Sequence, residues 1–369
     1  MEFFERVPLT GVYTSSLPLC YIVSNPVNLV VLSGEHPTLP LAEMRAVLDA
    51  HNINYRIEKV SYKLVRVNVQ NGNLPAEISE RAAFLEENAF EISESPATIR
   101  QIEQSVASAR LDSYIGPEDS FSLRVSRFGG VSKSLQRADI ERDIGGLVAK
   151  LTGAKVNLTS PQKLLRGYLT GDSFHLGLSK YRRIPGSVAA RRPRKRAVFH
   201  PSTMMPKLAR CMVNLSRVVQ GNMFLDPFCG VGGLLVEASM LGCNTVGLDA
   251  VKRMVRASRR NLRHFNLNSY GYIRADAREL PLTCVDAIAT DPPYGTGAST
   301  LKSTTQKILV DFLPQARETL HKEHCLVIAS PEGTRTIEIA ENSGFKTIEK
   351  HYVYVHRRLT REILVLRAI

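Results

Sequence analysis

No stretch of this chain is apolar for long enough to cross a bilayer: apolar runs such as Cys325 to Ala329 and Ile363 to Leu366 fall far short of the roughly 20 residues a spanning helix needs. No secretory leader is expected either, since Met1 to Arg6 carries acid where such a signal carries base, and no uninterrupted apolar core follows. The chain is therefore expected in the cytoplasm. Cysteine is sparse: the six residues form no C-x-x-C pair, so neither a disulfide framework nor a metal site is expected. They read as small buried hydrophobes, and only Cys229 lies inside a motif. Low-complexity tracts and repeats of solenoid period are absent as well. A hydrophobic content of 44% and a charged content of 22% argue against disorder, a fibre or a coiled coil.

Acid is in short supply, with 35 Asp and Glu against 48 Lys and Arg, a formal net charge of +13. The imbalance is regional. Residues 71–120 hold ten acids against three bases, whereas 180–196 hold eight bases and no acid. Such a field attracts polyanions, with nucleic acid and an anionic membrane surface as candidates beside a merely solubilising surface. The motif chemistry below selects nucleic acid over membrane. At 369 residues the chain exceeds what one core usually organises, so two or three domains are expected.

The C-terminal half alternates short β-branched or aliphatic runs with helical stretches, the pattern of an open, mostly parallel α/β sheet. Strands are predicted at Met223–Leu225, Thr245–Leu248, Tyr272–Arg274, Val285–Ala289 and Leu326–Ala329, and helices near Val231–Leu241, Val251–Phe265, Thr305–Leu320 and Arg335–Asn342. Lys346–Val355 and Glu362–Leu366, on either side of His356-Arg357-Arg358, read as an antiparallel hairpin. Together these make a Rossmann-like sheet. The N-terminal half mixes strands at Leu29–Leu32 and Leu64–Val69 with a helix at Leu41–His51, and alternation returns at Phe121–Val125 and Phe174–Leu178, as in an α+β module. Lys180 to Arg196, with Pro185-Gly186 and Pro193, reads as a linker. The expected division is an extension over 1–26, the α+β region over 27–179, a basic linker over 180–198 and the α/β domain over 199–369.

Phe224-Leu225-Asp226-Pro227-Phe228-Cys229-Gly230-Val231-Gly232-Gly233 ends a strand on a carboxylate and a glycine turn before a helix, where α/β sheets bind ligands. Glycine lets the backbone approach a cofactor closely, and Asp249, at the end of the next strand, is placed to hydrogen-bond a ribose diol. Asp226 separates this turn from a nicotinamide fingerprint. Its carboxylate would repel a pyrophosphate but pair with an ammonium, and S-adenosylmethionine supplies an ammonium and a sulfonium. The plainer alternative is an Asp that caps the helix beside glycines that only turn the chain. Asp276, after the third strand, could accept from an adenine amino group while the Ala277 backbone reads the ring edge, or it could simply make a turn.

Thr290-Asp291-Pro292-Pro293-Tyr294-Gly295 follows an apolar strand, and its prolines fix the turn. Asp291 and the Pro292 carbonyl can together accept both hydrogens of an exocyclic amine. An aromatic amine is a poor nucleophile because its lone pair is delocalised. Held by both N–H bonds, the nitrogen pyramidalises and turns the lone pair toward the sulfonium methyl for in-line displacement. Tyr294 can stack on the base, which must swing out of paired structure at a cost of about a few kcal/mol. Lys252, Arg253, Arg256, Arg259, Arg260 and Arg263 recur at helical spacing, a face that either binds phosphate or is merely solvated. His200, between Phe199 and Pro201, reads equally as structural or functional.

On these motifs the chain resembles the archaeal tRNA guanosine-10 N2-methyltransferase and dimethyltransferase family, whose members join a ferredoxin-like and THUMP RNA-binding region to a Rossmann-like methyltransferase domain. The resemblance rests on Leu32-Ser33-Gly34-Glu35, on His200-Pro201-Ser202-Thr203-Met204-Met205-Pro206-Lys207-Leu208-Ala209-Arg210, on Asp226 to Gly233 and on Asp291 to Gly295. It implies methylation of the N2 amine of guanosine 10 in tRNA, once or twice, with S-adenosylmethionine as cofactor and the THUMP region gripping the acceptor 3′ end. By motif position, Asp226, Gly230 and Gly232 would hold the methionine part, Asp249 the ribose, and Asp276 with Ala277 the adenine, with Phe228 also on the cofactor. Asp291, Pro292, Pro293 and Tyr294 would hold the guanine, while His200 to Lys207, Thr203 included, would close over the cofactor. Arg191, Arg192, Arg194 and Lys195 are expected on the RNA. Residues 1–26 have little counterpart in the family. Whether a small activating protein partner assists an otherwise monomeric chain stays open. So do three alternatives: a sister enzyme acting at another tRNA guanosine such as position 6, whose motif begins with Asn where this chain has Asp291; an adenine-N6 methyltransferase; and a non-catalytic RNA-binding protein.

Overall fold

The computed structural model describes residues 27–70, 72–129, 135–184, 186–295 and 304–369; the extension over 1–26, with Cys20, and the segment Thr296 to Thr300 lie outside them. Within the described residues no helix is long and apolar enough to cross a membrane.

The first half builds one eight-stranded mixed sheet from β1 (Val27–Leu32), β2 (Tyr55–Lys59), β3 (Leu64–Val69), β4 (Leu85–Pro96), β5 (Ser120–Phe128), β6 (Lys155–Val156), β7 (Lys163–Thr170) and β8 (Ser173–Arg182). Their order is β2-β3-β1-β4-β8-β7-β5-β6. Strand β1 sits inside the sheet, and its apolar run is buried from Asn28 onward, as a strand covered on both faces requires. Strand β3 alternates instead: Val65, Val67 and Val69 face the core, while Arg66 turns to Glu91 of β4 at 2.7 Å. Helices α1 (Leu39–Ala50) and α2 (Ala76–Arg81) pack with β1 and β3. Helices α3 (Ile99–Ser108) and α4 (Arg137–Thr152) pack with β5, β7 and β8 around Phe121, Ile140 and Phe174. The basic segment expected as a linker begins inside this sheet, since Lys180 to Arg182 close β8.

The second half forms a seven-stranded sheet from β9 (Met223–Asp226), β10 (Asn244–Leu248), β11 (Gly271–Ile273), β12 (Val285–Thr290), β13 (Leu320–Pro331), β14 (Phe345–His356) and β15 (Leu359–Ala368), in the order β11-β10-β9-β12-β13-β15-β14. The first five strands pair in parallel, and β15 pairs antiparallel with both β13 and β14. One face is covered by α5 (Pro206–Leu215), α6 (Gly233–Met240) and α7 (Lys252–His264); the other by α8 (Thr305–Thr319) and α9 (Thr336–Asn342). Alternation within β12 serves both cores: Ala287 and Ala289 face α5 and α6, and Ile288 faces α8.

The halves dock through buried polar groups. Glu43 of α1 is 0% exposed, and its carboxylate accepts from the backbone N–H of Ala83 (2.7 Å) and Phe84 (2.8 Å) and from Asn214 Nδ2 of α5 (2.7 Å). Arg81 Nε donates to Asn214 Oδ1 at 2.9 Å. Glu43→Ala strands three buried donors at once and is expected to cost about 2–4 kcal/mol in chemical denaturation, whereas Glu43→Gln, which keeps an acceptor, should recover part of it. Equal losses in the two variants would show that burial of the side chain, not acceptance, is what matters.

Candidate active site

In the second sheet the chain leaves β9 toward β10 and β11 on one side and returns through β12 and β13 on the other, so the gap between β9 and β12 is a topological switch point. Asp226 ends β9 there, 2% exposed. Its Oδ1 accepts from Thr290 Oγ1, at the end of β12, at 2.8 Å and from the Phe228 N–H at 3.2 Å. Burial pushes the Asp226 carboxyl up to about 8, and the charges of Asp249 and Asp291 push the same way. Three converging carboxylates around a backbone turn suit a cationic ligand and repel a phosphate.

The glycines answer to geometry. Gly230 (φ +49°) and Gly232 (φ +83°) both adopt the left-handed region. A side chain at Gly232 would also strike Ser258 of α7, with Oγ only 2.7 Å from a built Cβ, whereas nothing within 4 Å fills the space above Gly230. Asp249 ties the turn down by accepting from Gly230 N–H (3.0 Å) and Val251 N–H (2.8 Å). Phe228 packs edge-on against Phe312 at 5.2 Å between centroids, and Ala277 is buried. Asp276 does not wait with free oxygens: Arg278 grips both, at 2.9 and 2.6 Å, and holds its carboxyl below the usual range.

Asp291 follows Thr290 directly and is only partly exposed. The Tyr294 hydroxyl donates to its Oδ1, and Arg361 of β15 reaches Oδ2 at 3.1 Å. Arg361 also donates to the Tyr294 oxygen at 3.2 Å and lies 5.7 Å from its ring centroid. Burial raises the Asp291 carboxyl, and Arg361 opposes the rise. The Pro293 carbonyl accepts from Thr305 at 3.2 Å. Sequence reading missed Arg361. Only the register that sets it opposite Pro331, at the carboxyl end of β13, brings it here.

The His200–Lys207 segment divides. Thr203 lies against the turn, its Cγ2 3.7 Å from a Cβ built on Gly233, while His200 bonds locally to Ser202 at 2.7 Å. Lys207 points away, to Glu35 (2.6 Å) and Ser33 (3.2 Å), joining two of the motifs singled out in the sequence. Of the basic residues expected on a surface, Arg192, Arg194 and Lys195 are exposed. Arg191 is not available in the same way, because its guanidinium pairs with buried Glu237 at 2.8 and 3.2 Å. The six basic residues of α7 are all exposed. A cleft of about 880 Å³ lies between the halves, bordered by Arg166, Arg182, Arg183, Arg192, Lys207 and Arg361, with three glutamates interspersed.

A family model described as an RMKL-like methyltransferase domain matches residues 193–363. The chain is 37% identical over 344 residues to the tRNA (guanine(10)-N2)-dimethyltransferase of Methanothermobacter thermautotrophicus, covering 92% of this chain and 99% of that one. It is 32% identical over 364 residues to the Methanocaldococcus jannaschii protein of the same name, with the same coverage. Among solved structures, TrmN from Thermus thermophilus superposes with a TM-score of 0.53 at 19% identity over 93% of this chain and all of that one, a likeness of fold.

Asp226 folds with a carboxyl near 8 against an ordinary value of 3.8, so between those pH values the native state holds a proton the unfolded chain has released, and stability falls as pH rises. Asp226→Asn has no charge to bury. It is expected to raise the thermal midpoint relative to the parent at pH 8, by less as pH approaches 4, and to abolish the further rise that S-adenosylmethionine gives the parent. An advantage independent of pH would contradict the assignment of the proton to Asp226.

Proposed function

Because the chain belongs to the tRNA (guanine(10)-N2)-dimethyltransferase family, we propose that it methylates the exocyclic N2 amine of guanosine 10 in tRNA, once or twice, with S-adenosylmethionine as donor. The observation that carries the reading is a pair of consecutive residues: Thr290 holds the carboxylate of Asp226, and Asp291, the next residue, holds its own carboxylate to the Tyr294 hydroxyl and Arg361. One strand end thus serves a cofactor site and a target site side by side. When bound, the cofactor supplies an electrophilic methyl group on a sulfonium. Asp226 pairs with its ammonium, Gly230 leaves room for close approach, and Asp249 reaches the ribose. For Asp276 to take the adenine amine it must loosen a half-exposed ion pair, whose strength is modest.

Asp291 and the Pro292 carbonyl accept the two N–H bonds of the guanine amine, which requires the Tyr294 hydroxyl to leave Asp291 and frees the ring to stack on the base. Arg361 opposes the rise that burial gives the Asp291 carboxyl, and the ionised form takes the proton the amine releases. Asp291, where the position-6 enzymes carry Asn, favours guanosine 10. The exposed bases of α7, the cleft between the halves and Arg192, Arg194 and Lys195 support a polyanionic substrate. We read residues 27–179 as the ferredoxin-like and THUMP region that grips the tRNA, and the cytoplasm as the site of action.

Incubation of unmodified tRNA with the protein and S-adenosylmethionine should yield N2-methylguanosine or its dimethyl form at position 10 by nucleoside mass spectrometry. N6-methyladenosine would move the protein to another substrate class, and tRNA binding without methylation would leave a binding protein. Asp291→Ala should abolish turnover with tRNA affinity within about twofold of the parent, as expected of an interaction confined to the reacting amine. Neutralising Arg192, Arg194 and Lys195 together should weaken tRNA binding and flatten its dependence on log salt by roughly one unit for each phosphate no longer neutralised. An unchanged slope would take this segment off the RNA.

A further inference from the structure

Arg196 ends the basic run, yet it behaves unlike its neighbours. It is 6% exposed while Arg192, Arg194 and Lys195 face solvent. Its Nε donates to the Arg191 carbonyl at 3.0 Å, but neither terminal guanidinium nitrogen finds a partner among the described residues. A buried guanidinium without a counter-ion is costly, and a native fold keeps one only where something else answers the charge. The neighbouring acid does so only in part, acting through its charge without a hydrogen bond. Glu237 is 0% exposed, and its oxygens are occupied by Arg191 and by Arg210, each at 2.8 Å. Three guanidiniums therefore surround one carboxylate.

The free nitrogens have a direction. A Cβ built on Gly233 would lie 3.5 Å from Arg196 Nη1 and 3.7 Å from Thr203 Cγ2. Gly233 opens α6, and its N-cap, Gly232, provides no side-chain cap, so the first N–H groups of the helix border the same space. Thr203 Oγ1 is likewise buried and without a partner. A guanidinium, a hydroxyl and a helix N-terminus together make a receptor for a small anion. At the opposite end of the same turn stands Asp226, a receptor for a cation. The turn from Asp226 to Gly233 thus carries one anchor of each sign, which is the pattern of an α-amino acid zwitterion.

We propose that Arg196, assisted by Thr203, binds the α-carboxylate at the amino-acid end of the cofactor, while Asp226 binds its ammonium. This rests on the reading of the turn as an S-adenosylmethionine site. It accounts for two buried guanidinium nitrogens that have no hydrogen-bond partner among the described residues. It also takes Arg196 out of the RNA-binding surface to which its neighbours in sequence were assigned.

The test compares S-adenosylmethionine with its decarboxylated form, which lacks only the carboxylate, by calorimetric titration of the full chain without RNA. The parent should prefer the carboxylated ligand by roughly 10- to 100-fold, the range of a charge-assisted hydrogen-bonded pair. Arg196→Met should bring that preference close to one while leaving affinity for the decarboxylated ligand unchanged, and Arg196→Lys should retain part of it. The ligand-free Arg196→Met protein should melt no lower than the parent, because an unpaired buried charge has gone. A parent indifferent to the carboxylate, or a variant that keeps the parental preference, overturns the proposal. So does a variant that loses both ligands equally and melts lower, the signature of a structural arginine. A folded parent that binds neither ligand overturns the reading of the turn as a cofactor site instead.

Discussion

A carboxylate that water cannot reach must be answered by protons, hydrogen bonds or a counter-charge within a few ångströms, and the second sheet is organised around one such group. Asp226 sits where the strand order reverses, its oxygen shared between a hydroxyl from the neighbouring strand and the backbone of its own turn. That arrangement stabilises the carboxyl only in part. It leaves a site that favours a positively charged guest over water, and the glycines, Asp249 and the close approach of α7 follow from keeping space and direction for that guest.

Helix α5 supplies the second organising element. Lys207, Arg210 and Asn214 recur along it at intervals of three and four, with Arg217 just beyond its end, so they line one side of the helix. Each reaches a different acceptor: Glu35, Glu237, Glu43, and finally Asp49 with Glu349. A single helix therefore binds the first half of the chain to the second while holding Glu237 of α6, the helix that follows the turn from Asp226 to Gly233. Lys207, the last residue of the segment read from the sequence as a cover for the cofactor, belongs to this docking strip.

The second half was legible because its strands are short, apolar and separated by helices with clear periodicity, and all five parallel strands lie where alternation places them. Strand β13 begins at Leu320, six residues before the expected Leu326, a start the pattern did not mark because His321 to His324 are exposed and polar. The first half was legible only in pieces. Its pairing joins β4 to β8 across 77 to 95 residues, and local patterns do not encode partners that distant. The motif residues Asp226, Asp249 and Asp291 could be singled out because turn chemistry confines them. Arg361 and Arg196 could not, since an arginine in a strand and the last base in a basic run look like any other until the fold gives them neighbours.

The closed triangle of Asp291, Tyr294 and Arg361 also bears on which groups of an RNA this site will ignore. The carboxylate already has two donors, and an incoming group must match what it displaces. A ribose hydroxyl, present at every nucleotide, has one hydrogen to offer and no flat ring to occupy the place the tyrosine vacates. It gains nothing from the exchange. An amine on an aromatic ring brings two hydrogens and a face for stacking, so under the proposed function the resting contacts would act as a filter that screens out the commonest nucleophile in the substrate before any chemistry begins.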